Sequence, residues 1–113
     1  MDKIKSHADL LKEILGEYKN VVNKARNLKT QSVFVTDETS GIYAWFRFGW
    51  SEKGRISTTT FFARLRDDKI YIEEDWTENG IANDLIERGV SPKDIVLAFH
   101  PPEMRQYTDF ATA

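Results

Sequence analysis

The chain has 113 residues, a formal net charge of −2 and no cysteine. A chain of this length buries roughly two thirds of its unfolded surface, so we expect a single domain over residues 1–113. The lack of cysteine excludes a disulfide framework, a thiolate metal site and a cysteine nucleophile. We find neither a signal peptide nor a run of about 18 apolar residues. The sequence therefore predicts a cytoplasmic protein without membrane contact.

The charge is unevenly distributed along the chain. Residues 1–30 hold seven Lys and Arg against four Asp and Glu, whereas residues 31–113 hold nine against fourteen. Autonomous DNA binding requires clustered basic residues that neutralise phosphates, and a slightly acidic domain has few to spare. The composition disfavours DNA binding. It stays open as an alternative because Lys19, Lys24, Arg26 and Lys29 cluster near the end of the first predicted helix.

The first segment has the three-and-four spacing of an amphipathic helix, which we predict over about residues 3–27. Its apolar stripe comprises Ile4, Ala8, Leu11, Ile14, Leu15, Tyr18, Val21, Val22 and Ala25. Such a stripe is typical of a helix packed on a sheet. A partner helix or a dimer seam is the alternative.

From residue 31 to residue 75 the pattern changes to a period of two, with turn residues at 37–41, 51–54 and 66–68. This pattern predicts an antiparallel meander of about four strands. In the second strand Phe46 and Phe48 point to one face, and Tyr43 and Trp45 to the other. We expect the N-terminal helix and the C-terminal segment to cover both faces. The alternative is that the Tyr43 and Trp45 face is an interaction surface.

A short helix should follow the meander, capped by Thr77 and ended by Gly89. Ser91 and Pro92 then predict a single helical turn, and the apolar run Ile95–Phe99 predicts a buried strand. The last residues carry Tyr107 and Phe110, which we expect to pack because they are too apolar for a frayed end. The predicted fold class is α+β.

Residues with chemical potential are few. Glu73, Glu74 and Asp75 open an acidic segment that recognises a basic partner or is simply solvated. His100, at the end of the last strand, is a structural histidine or an acid–base group. Metal-dependent catalysis by His100 with Glu73 or Asp75 is the weakest alternative, because alternating carboxylates on one strand do not converge. We expect no cofactor and no metal.

The C-terminal third carries a pattern specific to one family, in Thr77-Glu78, Ile81-Ala82, Leu85, Gly89-Val90, Lys93 to Leu97, Phe99-His100, Arg105 to Thr108 and Phe110-Ala111. In these residues the chain resembles the XisI family, whose founding member is a controlling factor for excision of the fdxN element in filamentous cyanobacteria. The helix and meander also match the family in layout, so the similarity covers essentially the whole chain.

The resemblance implies a non-enzymatic accessory factor in programmed DNA excision, a process linked to heterocyst differentiation. It also implies a XisH-like protein as partner and a separate site-specific recombinase that performs the strand chemistry. The family supplies no catalytic residues. Our candidate partner-binding residues are Glu73, Glu74, Asp75, His100, Arg105 and Tyr107. The aromatic sheet face and the long amphipathic helix are also compatible with a homo-oligomer.

Overall fold

The computed structural model describes residues 6–24 and 30–113. One long helix is followed by four strands, a short helix, a fifth strand and a last helical turn. The elements are α1 (His7–Lys24), β1 (Thr30–Asp37), β2 (Ile42–Ser51), β3 (Gly54–Arg66), β4 (Lys69–Asp75), α2 (Ile81–Glu87), a 3-10 turn (Pro92–Asp94), β5 (Ile95–Leu97) and α3 (Pro102–Arg105). This arrangement confirms the predicted α+β class.

The five strands form one sheet in the order β1-β2-β3-β4-β5. The first four are antiparallel neighbours, which confirms the meander. β5 instead lies parallel to β4, because the chain crosses back through α2 before it rejoins the sheet. The sheet is therefore mixed, with β1 at one edge and β5 at the other.

Helix α1 packs on one face of the sheet through Leu10, Leu11, Ile14 and Leu15, all buried. The ends of the predicted helix, at residues 3–5 and 25–27, lie outside the described residues. Val21 departs from the predicted stripe, since it is largely exposed and lines an open cleft between α1 and α2. The periodicity identified the buried face of the helix, but it did not indicate where along the helix the core ends.

The core lies between α1 and the sheet face that carries Tyr43, Trp45 and Phe61. Trp45 stacks on Phe34 with ring centroids 5.0 Å apart, and Tyr18 lies 5.2 Å away on its other flank. Tyr43 and Trp45 are buried, so they do not form an interaction surface. The alternative that placed one there is wrong.

The opposite face of the sheet is not covered as predicted. Val33, Val35 and Phe46 are all about two fifths exposed, at 41%, 39% and 39%. The C-terminal segment does not lie over them, because it bonds to the β5 edge, where Ala111 bridges Val96. Within the described residues, this apolar outer face next to β1 is open.

Helix α2 is capped differently from the prediction. Its N-cap residue is Gly80, not Thr77, and the Asp75 carboxylate accepts a hydrogen bond from Ile81 N at 2.7 Å. Asp75 is the last residue of β4 and lies six residues before Ile81 in the chain. Gly89, at φ +100°, ends the helix as predicted, since that backbone conformation favours glycine.

Candidate protein-interaction surface

The three acidic residues at the end of β4 have separate partners in the fold. Glu73 accepts two hydrogen bonds from the Arg64 guanidinium, at 3.0 and 3.1 Å. Glu74 accepts a hydrogen bond from Trp76 Nε1 at 2.8 Å. The register shift between β3 and β4 inserts Glu73 as an extra residue, so the carboxylates do not follow simple alternation.

Asp75 has the most internal hydrogen bonds of this group. Its Oδ1 accepts from Thr77 N at 2.9 Å and from Thr77 Oγ1 at 2.5 Å, while its Oδ2 accepts from Ile81 N at 2.7 Å. A carboxylate at a helix N-terminus also interacts favourably with the helix dipole. Asp75 therefore fixes the angle at which the chain leaves β4 and enters α2.

Arg105 organises the C-terminal loop. Its guanidinium donates hydrogen bonds to three backbone carbonyls: His100 O at 3.0 Å, Ala98 O at 3.3 Å and Thr112 O at 3.3 Å. The planar guanidinium can reach three acceptors at once because it carries five N–H donors. This one side chain ties the loop after β5 to the final residues of the chain.

The acidic segment and the C-terminal loop lie at the same end of the sheet. β4 and β5 are parallel neighbours, so their carboxyl ends are side by side. Ala98 N donates to Ile72 O at 2.8 Å, which places the residues after β5 next to those that end β4. The two segments that hold the six predicted partner-binding residues thus start from neighbouring strand ends, and within them Asp75 and Arg105 are occupied by internal hydrogen bonds.

Large apolar side chains at this end remain open to solvent. Trp76 is 75% exposed and Tyr107 is 76% exposed, and Phe99 and Met104 are about half exposed. Phe99 was predicted to lie in the buried strand and Tyr107 to pack; both predictions are wrong. β5 ends at Leu97, and the chain turns away before Phe99 can reach the core.

We call this set the carboxyl-end surface. It comprises Glu74, Trp76, Phe99, His100, Met104 and Tyr107. The His100 ring lies 4.6 Å from the Phe99 ring. Trp76, Phe99 and Met104 were not among the predicted partner-binding residues. For Trp76 a signal was available, because it directly follows the period-two segment that ends at residue 75, and loops after strand ends commonly carry binding residues.

A separate ionic cluster joins α1 to α2. Arg88 donates to Glu13 at 2.5 Å and to Glu17 at 2.7 Å. The hydrogen bond from Arg88 lowers the pKa of Glu17. The same hydrogen bond raises the pKa of Arg88. Tyr18 OH donates to Asp84 at 3.4 Å nearby. This cluster binds the two helices to each other and leaves Asp84 engaged within the fold.

Within residues 6–24 and 30–113, no three His, Asp or Glu side chains are grouped so that they could hold a metal ion. His7 lies by itself against Asp94, with 3.4 Å between Nε2 and the carboxylate. No helix in this part of the chain is both long and apolar enough to cross a membrane.

The fold and this surface define a small α+β protein with an exposed aromatic patch beside two parallel strand ends. The model of the XisI protein family matches residues 1–112, so the chain belongs to the XisI family. No curated protein matches it.

Two solved structures are similar over nearly their whole length. One is a XisI-like protein from Anabaena variabilis ATCC 29413, with 28% identity and a TM-score of 0.84; the match covers 95% of this chain and 96% of that chain. The other is the fdxN element excision controlling factor XisI from the same strain, with 30% identity, a TM-score of 0.81 and the same coverage. The family expectation from the sequence is confirmed.

Proposed function

We propose that this chain is a non-enzymatic accessory factor that controls excision of a DNA element by binding a XisH-like protein, which in turn acts with a site-specific recombinase. Membership of the XisI family and the similarity to an fdxN element excision controlling factor support the excision role. The exposed aromatic side chains of the carboxyl-end surface support protein binding as its mode of action.

The carboxyl-end surface has the composition of a binding patch. Aromatic residues and methionine are enriched at the centres of protein interfaces, and a few aromatic anchors supply most of the binding energy. Trp76 and Tyr107 are the two most exposed aromatic anchors here. Asp75 and Arg105 have a different role: their internal hydrogen bonds hold the two segments that present these anchors.

Copurification with a XisH-like protein tests the proposal. Trp76→Ala and Tyr107→Ala should each weaken the complex, by about 2 kcal/mol if these residues are interface hot spots. Trp50→Ala is the matched control, since Trp50 is similarly exposed, at 65%, and lies near the end of β2, outside the carboxyl-end surface. Separate elution of the two coexpressed proteins at moderate salt would contradict the proposal.

The DNA-binding alternative has a distinct signature. Its basic residues Lys19 and Lys24 lie on α1, whereas Arg26 and Lys29 lie outside the described residues. Phosphate contacts make affinity fall steeply with salt. Tight, salt-sensitive DNA binding by the isolated chain, lost on Lys19→Ala and Lys24→Ala, would favour this alternative over partner binding.

Catalysis by His100 with Glu73 or Asp75 has less support. Glu73 is engaged by Arg64, and the Asp75 carboxylate is engaged by Thr77 and Ile81. A cation-dependent activity abolished when His100, Glu73 or Asp75 is replaced by Ala, with the fold intact, would overturn the non-enzymatic proposal.

A further inference from the structure

The structure points to a two-fold dimer of this chain in which β1 pairs antiparallel with β1 of a second copy. We infer this pairing from the edge of the sheet farthest from the carboxyl-end surface. It is independent of the proposed function.

β1 has the properties of an edge strand suited to pairing. It is eight residues long, it pairs with β2 without a register shift, and no described residue pairs with its other edge. Exposed edges are normally protected by proline, lysine, bulges or very short strands. β1 contains no proline, no lysine and no bulge, and its single charge is Asp37 at its end.

The other edge of the sheet differs. At β5, Ala111 N donates to Ile95 O at 2.8 Å, and Ala111 forms a parallel bridge with Val96. The chain itself therefore occupies the β5 edge. A sheet in which the described residues leave one edge open can form a closed pair through a two-fold axis, whereas two open edges would permit a growing filament.

The side chains of β1 select a register. An axis perpendicular to the sheet keeps α1 of both copies on the same face, so only residues of the same face can be opposite each other. Phe34 faces the core, while Val33 and Val35 face outward and are about two fifths exposed. The two-fold axis must therefore pass beside one residue of β1, which lies opposite its own counterpart, and not between two successive residues.

With the axis at Phe34, the pairing is self-complementary. Val33 lies opposite Val35 of the second copy, and Phe34 lies opposite its own counterpart. Ser32 then lies opposite Thr36, and Gln31 opposite Asp37. Apolar cross-strand pairs of this kind stabilise a sheet, and the two Asp37 carboxylates lie at opposite ends of the joint. With the axis at Val33, by contrast, Val35 would lie opposite Gln31 and Phe34 opposite Ser32.

The pairing also extends the open apolar face. Phe46 lies next to Val33 in the β1 and β2 register, on the same outer face. Across the joint, Val33, Val35 and Phe46 of both copies would form one continuous apolar strip. Backbone hydrogen bonds along the joint would supply affinity, and the valine pairs would supply register specificity.

Sedimentation velocity of the full chain tests the dimer and its register through charge substitutions. The parent chain should sediment as a dimer. Val33→Lys combined with Val35→Lys should give a monomer, because the two introduced lysines would be opposite each other across the joint. Val33→Lys combined with Val35→Glu should restore the dimer, because each lysine would then face a glutamate.

The matched control is Met104→Lys, an exposed apolar position on the carboxyl-end surface. It should leave the dimer intact. Circular dichroism of every variant establishes that the fold is retained. A monomeric parent chain, or equal behaviour of the two double variants, would overturn the inference. So would a monomeric parent whose β1 variants lose a XisH-like partner, since β1 would then be the partner's edge.

Discussion

The two edges of the sheet differ in whether other parts of the chain cover their backbone. At the β5 edge, the chain folds back on itself: Ala111 bridges Val96, and Arg105 bonds three loop carbonyls. At the β1 edge, none of the described residues provides such a cover. Polar residues near β5 therefore stabilise the fold, whereas β1 has a free edge, which we propose pairs with a second copy.

The largest effect on stability is expected at Asp75. Asp75→Ala removes the acceptor of three hydrogen bonds, including the one from Ile81 N at the start of α2. The free energy of unfolding should fall by about 2 kcal/mol, the usual cost for hydrogen bonds to a charged group. Urea denaturation measures it. Asp75→Asn, which keeps one acceptor oxygen, is the control and should lose less.

Arg105→Ala should cost about 1.5 kcal/mol, because three backbone carbonyls lose a charged donor. The same urea titration applies, with Gln106→Ala as the neighbouring control, since Gln106 is exposed. Lysine cannot reach three acceptors in one plane, so Arg105→Lys should recover only part of the loss. An Arg105→Ala protein as stable as the parent would show that the loop does not depend on this side chain.

The side of the sheet beneath α1 should be sensitive to alkaline pH. Burial raises the pKa of Tyr18 and of Tyr43 above the usual tyrosine value of about 10. Above that value the unfolded chain ionises before the folded chain does. Stability is therefore complete below pH of about 10 and is lost as the pH rises through the folded pKa.

Tyr18→Phe removes one of these two phenols and should flatten the alkaline loss of stability. Thermal unfolding between neutral pH and pH of about 11 follows this change. If the parent and Tyr18→Phe lose stability with the same slope, burial of Tyr18 does not contribute.

The smallest effect on stability is expected at β1. Val33→Lys alters an exposed side chain, so at low protein concentration the free energy of unfolding should change by no more than about 0.5 kcal/mol. Together with Val35→Lys, the same substitution should nevertheless abolish the dimer. A large loss of stability in Val33→Lys at low concentration would show that β1, like the β5 edge, stabilises the fold of the single chain.

Local patterns in the sequence predicted the elements well. The period-two segment gave the four-strand meander, Gly89 ended α2, and Ser91 caps the 3-10 turn by accepting a hydrogen bond from Lys93 N. Each of these features depends on residues close together in the chain. Of the residues in the carboxyl-end surface, the sequence singled out Glu74, His100 and Tyr107 as candidates for partner binding.

Features that depend on distant residues were not predictable. The parallel pairing of β5 with β4 decides that Phe99 leaves the core and that the C-terminal segment lies along an edge. The register shift beside Glu73 and the use of Asp75 at α2 arise from pairing between strands and from the crossover path. The hydrophobicity of Phe99 and Tyr107 gave the opposite expectation, because solvent-exposed aromatics resemble core residues in a sequence.

We propose that the chain uses the β1 edge to form a dimer and the carboxyl-end surface to bind a partner. Sedimentation velocity of the chain alone and mixed with a XisH-like protein tests this most directly. We predict a dimer alone and, in the mixture, a complex that retains two copies of this chain. Trp76→Ala should lose the partner but keep the dimer, whereas the Val33→Lys and Val35→Lys chain should bind the partner as a monomer. A parent chain that is monomeric alone, or one whose dimer dissociates when the partner binds, would contradict the account.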